Sequence, residues 1–317
     1  MLLMQAGVAV SASGDYPSRP IRFIIPYPPG GGTDSVARVI TPPLAERLGQ
    51  QVVVDNRGGA NAIVGTALVA KAPPDGYTLL LCLPASIAVN PGLYNQLPYD
   101  PQRDFEPVIR LSVTSQLLST HPALPVRTIN DLIRLARARP GAVNYGSSGV
   151  GSAAHLVVEL LRSMAKIEMM HVPYKGGAPA MNDLIAGQIQ LMSGPAIAAL
   201  PFVRSGRLRA IGVTTAKRIP MLPDVPTVGE TLPGYEITGW LGVMVPKSTP
   251  PEIVARLNHE IRQVLEIPAV REHLANQGSA PIGGTSAEFK ALIAGEIRKY
   301  AGLIKDAGIK PENWSGR

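Results

Sequence analysis

Two glycine-rich stretches hold the residues best placed for chemistry. The first is Gly30-Gly31-Gly32-Thr33-Asp34 and the second is Gly146-Ser147-Ser148-Gly149-Val150-Gly151-Ser152. Each follows a short apolar run and precedes a segment with helical periodicity, so each reads as a loop opening onto a helix N-terminus. The first turn of a helix leaves backbone N–H groups unpaired and carries the positive end of the helix dipole. Glycine lets a ligand approach that backbone closely. Two such loops facing each other across a cleft can hold an anion with amides and hydroxyls alone.

Other chemistries fit these residues less well. Gly149, Gly151 and Ala154 match a dinucleotide-binding spacing, and an α/β nucleotide-dependent enzyme using the Gly149-x-Gly151 loop stands as the alternative reading. The acidic residue expected about 20 positions later belongs at the carboxyl end of the next strand. Glu168 precedes that strand and sits at the wrong end. Gly-x-Ser-x-Gly is absent, and Lys175-Gly176-Gly177 runs in the wrong order for a phosphate loop. His155 falls inside a helix and His171 inside an apolar strand, so neither is matched to a nucleophile. Cys82 is the only cysteine; flanked by leucines, it reads as a buried inert thiol. No Cys/His cluster suits a metal, and neither a cofactor nor a catalytic residue is expected.

The elements that must position these loops follow from the composition. The chain has 317 residues, 45% hydrophobic and 17% charged, with 32 glycines and 31 prolines. That length suggests two domains, and the glycine and proline content suggests many connections between short elements. The net charge of +7 raises the question of a nucleic-acid partner. The basic residues, such as Arg134, Arg137 and Arg139, are not interleaved with aromatics for base stacking, so none is expected. Residues 1–10 are apolar and 11–14 small and polar, like the end of a signal peptide cleaved after Ala12, although a basic start is missing. Export to the periplasm is the expectation, with 1–15 a leader remnant or disordered tail. Two uncharged runs, 78–99 and 184–203, carry prolines and amides in their middles and read as buried strand–turn–helix segments.

Strands and helices alternate, the pattern of parallel sheets covered on both faces. Strands are expected over 21–26, 51–55 and 77–83, with helices at 33–48 and 60–72; Pro42-Pro43 is expected to split the first helix in two. A second set follows, with strands at 143–145, 169–174, 188–192 and 208–214. Thr128 with Asp131, and Thr285 with Glu288, have capping-box spacing. The β-rich runs 105–121 and 236–245 are suited to crossing between domains. The expected plan is discontinuous: 16–115 plus 238–317 form domain 1 and 116–237 domain 2, each a mostly parallel sheet flanked by helices, with the ligand cleft between them.

Several motifs, in this order, resemble the Bug family, the extracytoplasmic solute receptors of tripartite tricarboxylate transporters. They are Tyr16-Pro-Ser-Arg-Pro-Ile-Arg22, Pro26-Tyr-Pro-Pro-Gly-Gly-Gly-Thr-Asp34, Ala72-Pro-Pro-Asp-Gly-Tyr-Thr78, Asn144-Tyr-Gly-Ser-Ser-Gly149, His171-Val-Pro-Tyr-Lys-Gly-Gly-Ala-Pro-Ala180 and Pro223-Asp-Val-Pro-Thr227. The resemblance implies a two-domain Venus-flytrap fold, a small carboxylate ligand (a di- or tricarboxylate, acidic amino acid or aromatic acid) and delivery to an integral-membrane permease by a monomeric, non-catalytic receptor. A ligand sensor for a signalling partner would look the same in sequence. With the amide argument, the resemblance makes Tyr27, Gly31, Gly32, Thr33, Asp34, Ser86, Ser147, Ser148, Gly151, Ser152, His155, Tyr174 and Gly176 the candidate ligand-binding residues. Asp34 is awkward beside an anion and reads as structural. Ser193-Gly194-Pro195 departs from an acidic residue common in the family.

Overall fold

The computed structural model describes residues 16–314; the leader expectation for 1–15 lies outside them. The chain begins with β1 (Ile21–Ile25), α1 (Gly32–Leu48), β2 (Val52–Asn56), α2 (Ile63–Ala70) and β3 (Thr78–Cys82). A π-helical turn at Ala85–Val89 leads into α3 (Asn90–Leu93) and β4 (Tyr94–Asn95). The long run then forms β5 (Phe105–Thr114) and β6 (Gln116–Thr120). Next come α4 (Ile129–Ala138), β7 (Asn144–Ser147), α5 (Ala153–Ala165), β8 (Met170–Pro173), α6 (Gly177–Ile185), β9 (Leu191–Pro195), α7 (Ala196–Arg204) and β10 (Arg209–Val213). The chain closes with β11 (Gly239–Pro246), α8 (Pro251–Leu265), α9 (Pro268–Asn276), β12 (Ser279–Gly283), α10 (Ser286–Asp306) and β13 (Glu312–Asn313).

One sheet has the order β12-β5-β11-β3-β1-β2 and a second has β10-β6-β9-β7-β8, while β13 pairs with β4. The parallel cores β2-β1-β3 and β8-β7-β9 are those expected from the alternating elements. The remaining pairs are antiparallel, so both sheets are mixed rather than mostly parallel. The strands that cross between the sheets and those pairing with them account for this. They reach their neighbours without the helical crossover that a parallel pair needs.

Both faces of each sheet are buried. In β1, Ile21, Phe23 and Ile25 face one apolar cluster with Val36, Ile40 and Leu257, while Ile24 faces another with Ile63 and Phe289. This two-sided burial explains why the strands read as continuous apolar runs. The second sheet is likewise covered by α4 and α5 on one face and α6 and α7 on the other. Helix α10 spans two clusters: Phe289 packs near Trp240, and Tyr300, Leu303 and Ile304 pack with Leu156 and Val157 of α5.

Both capping boxes form, Thr128 with Asp131 and Thr285 with Glu288. Helix α1 is not split; Pro42 and Pro43 lie inside one continuous helix. Its buried stripe of Val36, Ile40, Leu44 and Leu48 continues on both sides of the prolines. Packing along that stripe outweighs the hydrogen bonds that proline removes. Helix α2 starts three residues later than expected because Ala60, Asn61 and Ala62 all have positive φ. Neither α9 nor β12 was expected. Pro268 opens α9, and β12 is an edge strand, where Pro281 is tolerated.

Ser115 alone separates β5 from β6. The return crossing runs beside it: Thr214 N–H donates to the Gln116 carbonyl at 3.1 Å, Ile237 N–H to the Thr214 carbonyl at 3.2 Å, and Gly239 registers with Thr114. The two crossings are therefore adjacent, and they form one wall of the space between the sheets.

Candidate functional site

A cavity of ~780 Å³ lies between the two sheets. The carboxyl ends of four parallel-core strands open into it: Tyr27 after β1, Leu83 and Pro84 after β3, Ser148 after β7, and Pro195 closing β9. Ligands bind at this end of α/β sheets because the helices that follow the strands present their N-termini there. Here α1 contributes Gly32 and Thr33, α5 contributes Ala153, and α7 contributes Ala196 and Ile197.

The three helix starts differ. Gly31, the N-cap of α1, provides no side-chain cap, and the first intrahelical bond runs from Ser35 N–H to the Gly31 carbonyl at 2.9 Å. The amides of Gly32, Thr33 and Asp34 precede that bond and have no acceptor within the helix. In α5, Ser152 caps the helix by accepting from His155 N–H at 3.3 Å. In α7, Ala196 N–H donates to the Ser115 carbonyl at 3.0 Å, tying the helix start to the crossing strand.

Of the candidates from sequence, Tyr27, Gly32, Thr33, Ser148, Gly151 and Ser152 line the cavity; Gly31, Asp34, Ser86, Ser147, His155, Tyr174 and Gly176 do not. Asp34 is buried, accepting from Gly30 N–H at 2.9 Å, Arg38 Nε at 2.9 Å and Asn56 Nδ2 at 3.1 Å. The Arg38 guanidinium, the Gly30 amide and Asn56 hold its carboxyl down at about 2. It closes the first loop from behind. Ser86 is fully buried and its hydroxyl donates to the Leu83 carbonyl at 3.0 Å, shaping the π-helical turn. Tyr174 donates to Asp183 at 2.7 Å. Gly176 caps α6, which follows the edge strand β8, and lies away from the cavity.

Behind the second loop, Tyr145, His171 and His155 stack, with ring centroids 4.9 Å and 3.9 Å apart in that order. His155 Nδ1 accepts from Gly151 N–H at 3.0 Å, and His171 Nε2 meets Ser147 Oγ at 2.7 Å. Burial, followed by the neighbouring His171, lowers the His155 pKa to about 4, and burial also lowers that of His171. Glu159 is bonded to Tyr145 and Arg162. The Ser147–His171 pair has the contact distance of a nucleophile and base, yet Ser147 is fully buried and does not reach the cavity. Burial also raises the Cys82 pKa, as expected for an inert thiol.

Sequence reasoning missed the crossing strands as part of the site. Gln116 and Thr238 are each 8% exposed and Ser279 is 6% exposed. All three line the cavity, and their side chains have no hydrogen-bond partner among the described residues. For Gln116 and Thr238 the signal lay in polar side chains on β-rich runs otherwise apolar enough for a core. Apolar side chains complete the lining, including Val89, Leu93, Leu156, Val157 and Tyr300.

Comparison with known proteins agrees with this architecture. Residues 36–309 match the tripartite tricarboxylate transporter family receptor. Protein BugT of Bordetella pertussis is 40% identical over 315 residues, 98% of this chain and 96% of its own length. Among solved structures, Rpa4515 of R. palustris with adipate has a TM-score of 0.77 and 39% identity, covering 94% of this chain and all of that one, 100%. MatC from Rhodopseudomonas palustris with bound malate has a TM-score of 0.72 and 30% identity, covering 91% of this chain and 100% of that one. The fold is that of the two-domain periplasmic binding proteins, and the chain belongs to the tripartite tricarboxylate transporter receptor family.

Proposed function

We propose that this protein is a periplasmic receptor that captures a small organic carboxylate in the cavity between its sheets and delivers it to the membrane permease of a tripartite transporter. The observation that carries this reading is the convergence of three helix N-termini, two of them without a side-chain cap, on a cavity that also holds unpartnered polar side chains. Relatives of the same fold solved with adipate and malate support the ligand class. Each charge-assisted hydrogen bond contributes ~1.5–3 kcal/mol, so four to six of them offset the ordering costs of micromolar binding.

In this reading, 16–115 with 238–317 form one lobe and 116–237 the other, and they close on the ligand by bending at the paired crossings. The receptor performs no chemistry: His155 is bonded to Gly151, and Ser147 lies outside the cavity. It acts as a monomer. Calorimetry on ligand-stripped, folded protein against di- and tricarboxylates, acidic amino acids and aromatic acids tests the proposal. At least one acid should bind with micromolar or tighter affinity, and uniform failure would overturn it. A thermal shift with NAD or NADP would favour the nucleotide-enzyme alternative.

A further inference from the structure

Among the described residues, no Asp, Glu, Lys, Arg or His lines the cavity. Its polar groups are all neutral: Thr33, Gln116, Ser148, Ser152, Thr238 and Ser279 among them. The carboxylates behind the two glycine loops are already engaged. Asp34 is bonded to Gly30, Arg38 and Asn56, while Glu159 is bonded to Tyr145 and Arg162 behind the histidine stack. Apolar and ring surface borders much of the rest of the space, through the half-buried Leu83, Leu93, Tyr94 and Ile197.

From this lining we infer that the site selects carboxylic acids that carry no amino group and have a hydrocarbon body. The inference rests on the receptor reading and narrows its ligand class. A carboxylate placed at the helix starts meets partial positive charge and amide donors. An ammonium group in the same space meets positive helix ends and finds no carboxylate, so it loses hydration without compensation. Hydroxyls and further carboxylates along the ligand lose hydration against Leu83, Leu93 and Ile197, whereas methylenes there gain about fourfold in affinity each.

Matched acids that differ only in the amine test this directly. Calorimetry compares glutarate with L-glutamate, adipate with L-2-aminoadipate, and 3-phenylpropanoate with L-phenylalanine, with citrate as an acid polar along its whole length. The amine-free member of each pair that binds should do so at least about tenfold more tightly, and citrate should bind more weakly than adipate. An amino acid that equals or exceeds its amine-free partner overturns the inference but leaves the receptor reading standing. Heat from none of the acids overturns the receptor reading itself. Gln116→Glu places a carboxylate in the cavity and should reduce the preference for amine-free acids about tenfold, with the protein still folded by thermal melt. An unchanged preference in that folded variant also counts against the inference.

Discussion

The backbone N–H of Gly151 donates to Nδ1 of His155 at 3.0 Å. The bond requires Nδ1 to be unprotonated, so the ring is neutral and its proton sits on Nε2, facing Glu159 Oε1 at 3.6 Å. It joins a residue of the cavity wall to a buried ring four positions along the chain. The amide of Gly151 is therefore committed to the protein. Donors to a ligand come from the neighbouring amides and hydroxyls.

A pH dependence follows from that neutral ring. The unfolded chain binds the His155 proton below about 6.5, the folded chain only near 4. Between those values the unfolded state holds more protons, so stability falls as the pH drops through the window, by roughly 3 kcal/mol in total. His171 acts in the same sense, with Tyr145, Glu159 and Arg162 completing the charged and titratable surroundings. His155→Leu should be less stable at neutral pH by about 1–2 kcal/mol, because Gly151 N–H loses its acceptor. Its stability should also fall less steeply from neutral pH to about 4. Thermal melts over that range check both outcomes.

Gly151 has φ +73°, and an added Cβ would lie 2.8 Å from Leu93 Cδ1. Gly151→Val therefore combines left-handed strain with a clash against α3 and should cost about 1–3 kcal/mol in stability. Because the loop shifts, carboxylate affinity should fall at least about tenfold. The strain and the clash produce the loss, since the Gly151 amide is not free to bind ligand. Melts and calorimetry on the folded variant measure the two effects separately.

Asp34 holds the first loop through bonds to Gly30, Arg38 and Asn56. Asp34→Ala leaves the Gly30 amide without its acceptor and should destabilise the protein by about 1.5–3 kcal/mol. The carboxyl pKa is lowered from 3.8 to about 2. Its contribution is therefore present above about pH 3.8 and is lost as the pH falls toward 2. Denaturant titrations at acid and neutral pH should show the variant and wild type converging in that range.

Pro42 is exposed inside α1, where it removes the hydrogen bond that residue 42 would donate to the Arg38 carbonyl. Pro42→Ala restores the donor in a helix that already has its buried stripe. Loss of proline's restriction on the unfolded chain offsets part of the gain. A rise in stability of about 1 kcal/mol is the expected net result, read as a higher denaturation midpoint with an unchanged slope.

The alternation of apolar runs and glycine loops revealed both parallel cores because each strand is buried on two faces and each loop must start a helix. It also identified Gly32, Thr33, Ser148, Gly151 and Ser152 as cavity residues, since their place at strand ends follows from local order alone. What stayed hidden depends on contacts distant in sequence. Asp34 and His155 sit beside the site in sequence but turn away from it, because Asn56 and Arg38 hold one and the stack with His171 holds the other. Gln116 and Ser279 enter the cavity only because the sheets come together there; a polar side chain in an apolar run marks Gln116, and nothing in its own segment marks Ser279.

Ser86 and Gln116 separate the two kinds of residue by experiment. Ser86 Oγ is bonded to Leu83 and closed off from the cavity, so Ser86→Ala should cost about 1 kcal/mol of stability and leave carboxylate affinity within about twofold. The Gln116 carboxamide borders the cavity and has no partner among the described residues. Gln116→Ala should therefore change stability little and weaken carboxylate binding about ten- to hundredfold, the value of one hydrogen bond to a charged group. If the acid rests on the first and second loops alone, Gln116→Ala will bind as wild type does. Calorimetry on both variants with the tightest-binding acid decides whether the crossing strands take part in ligand capture.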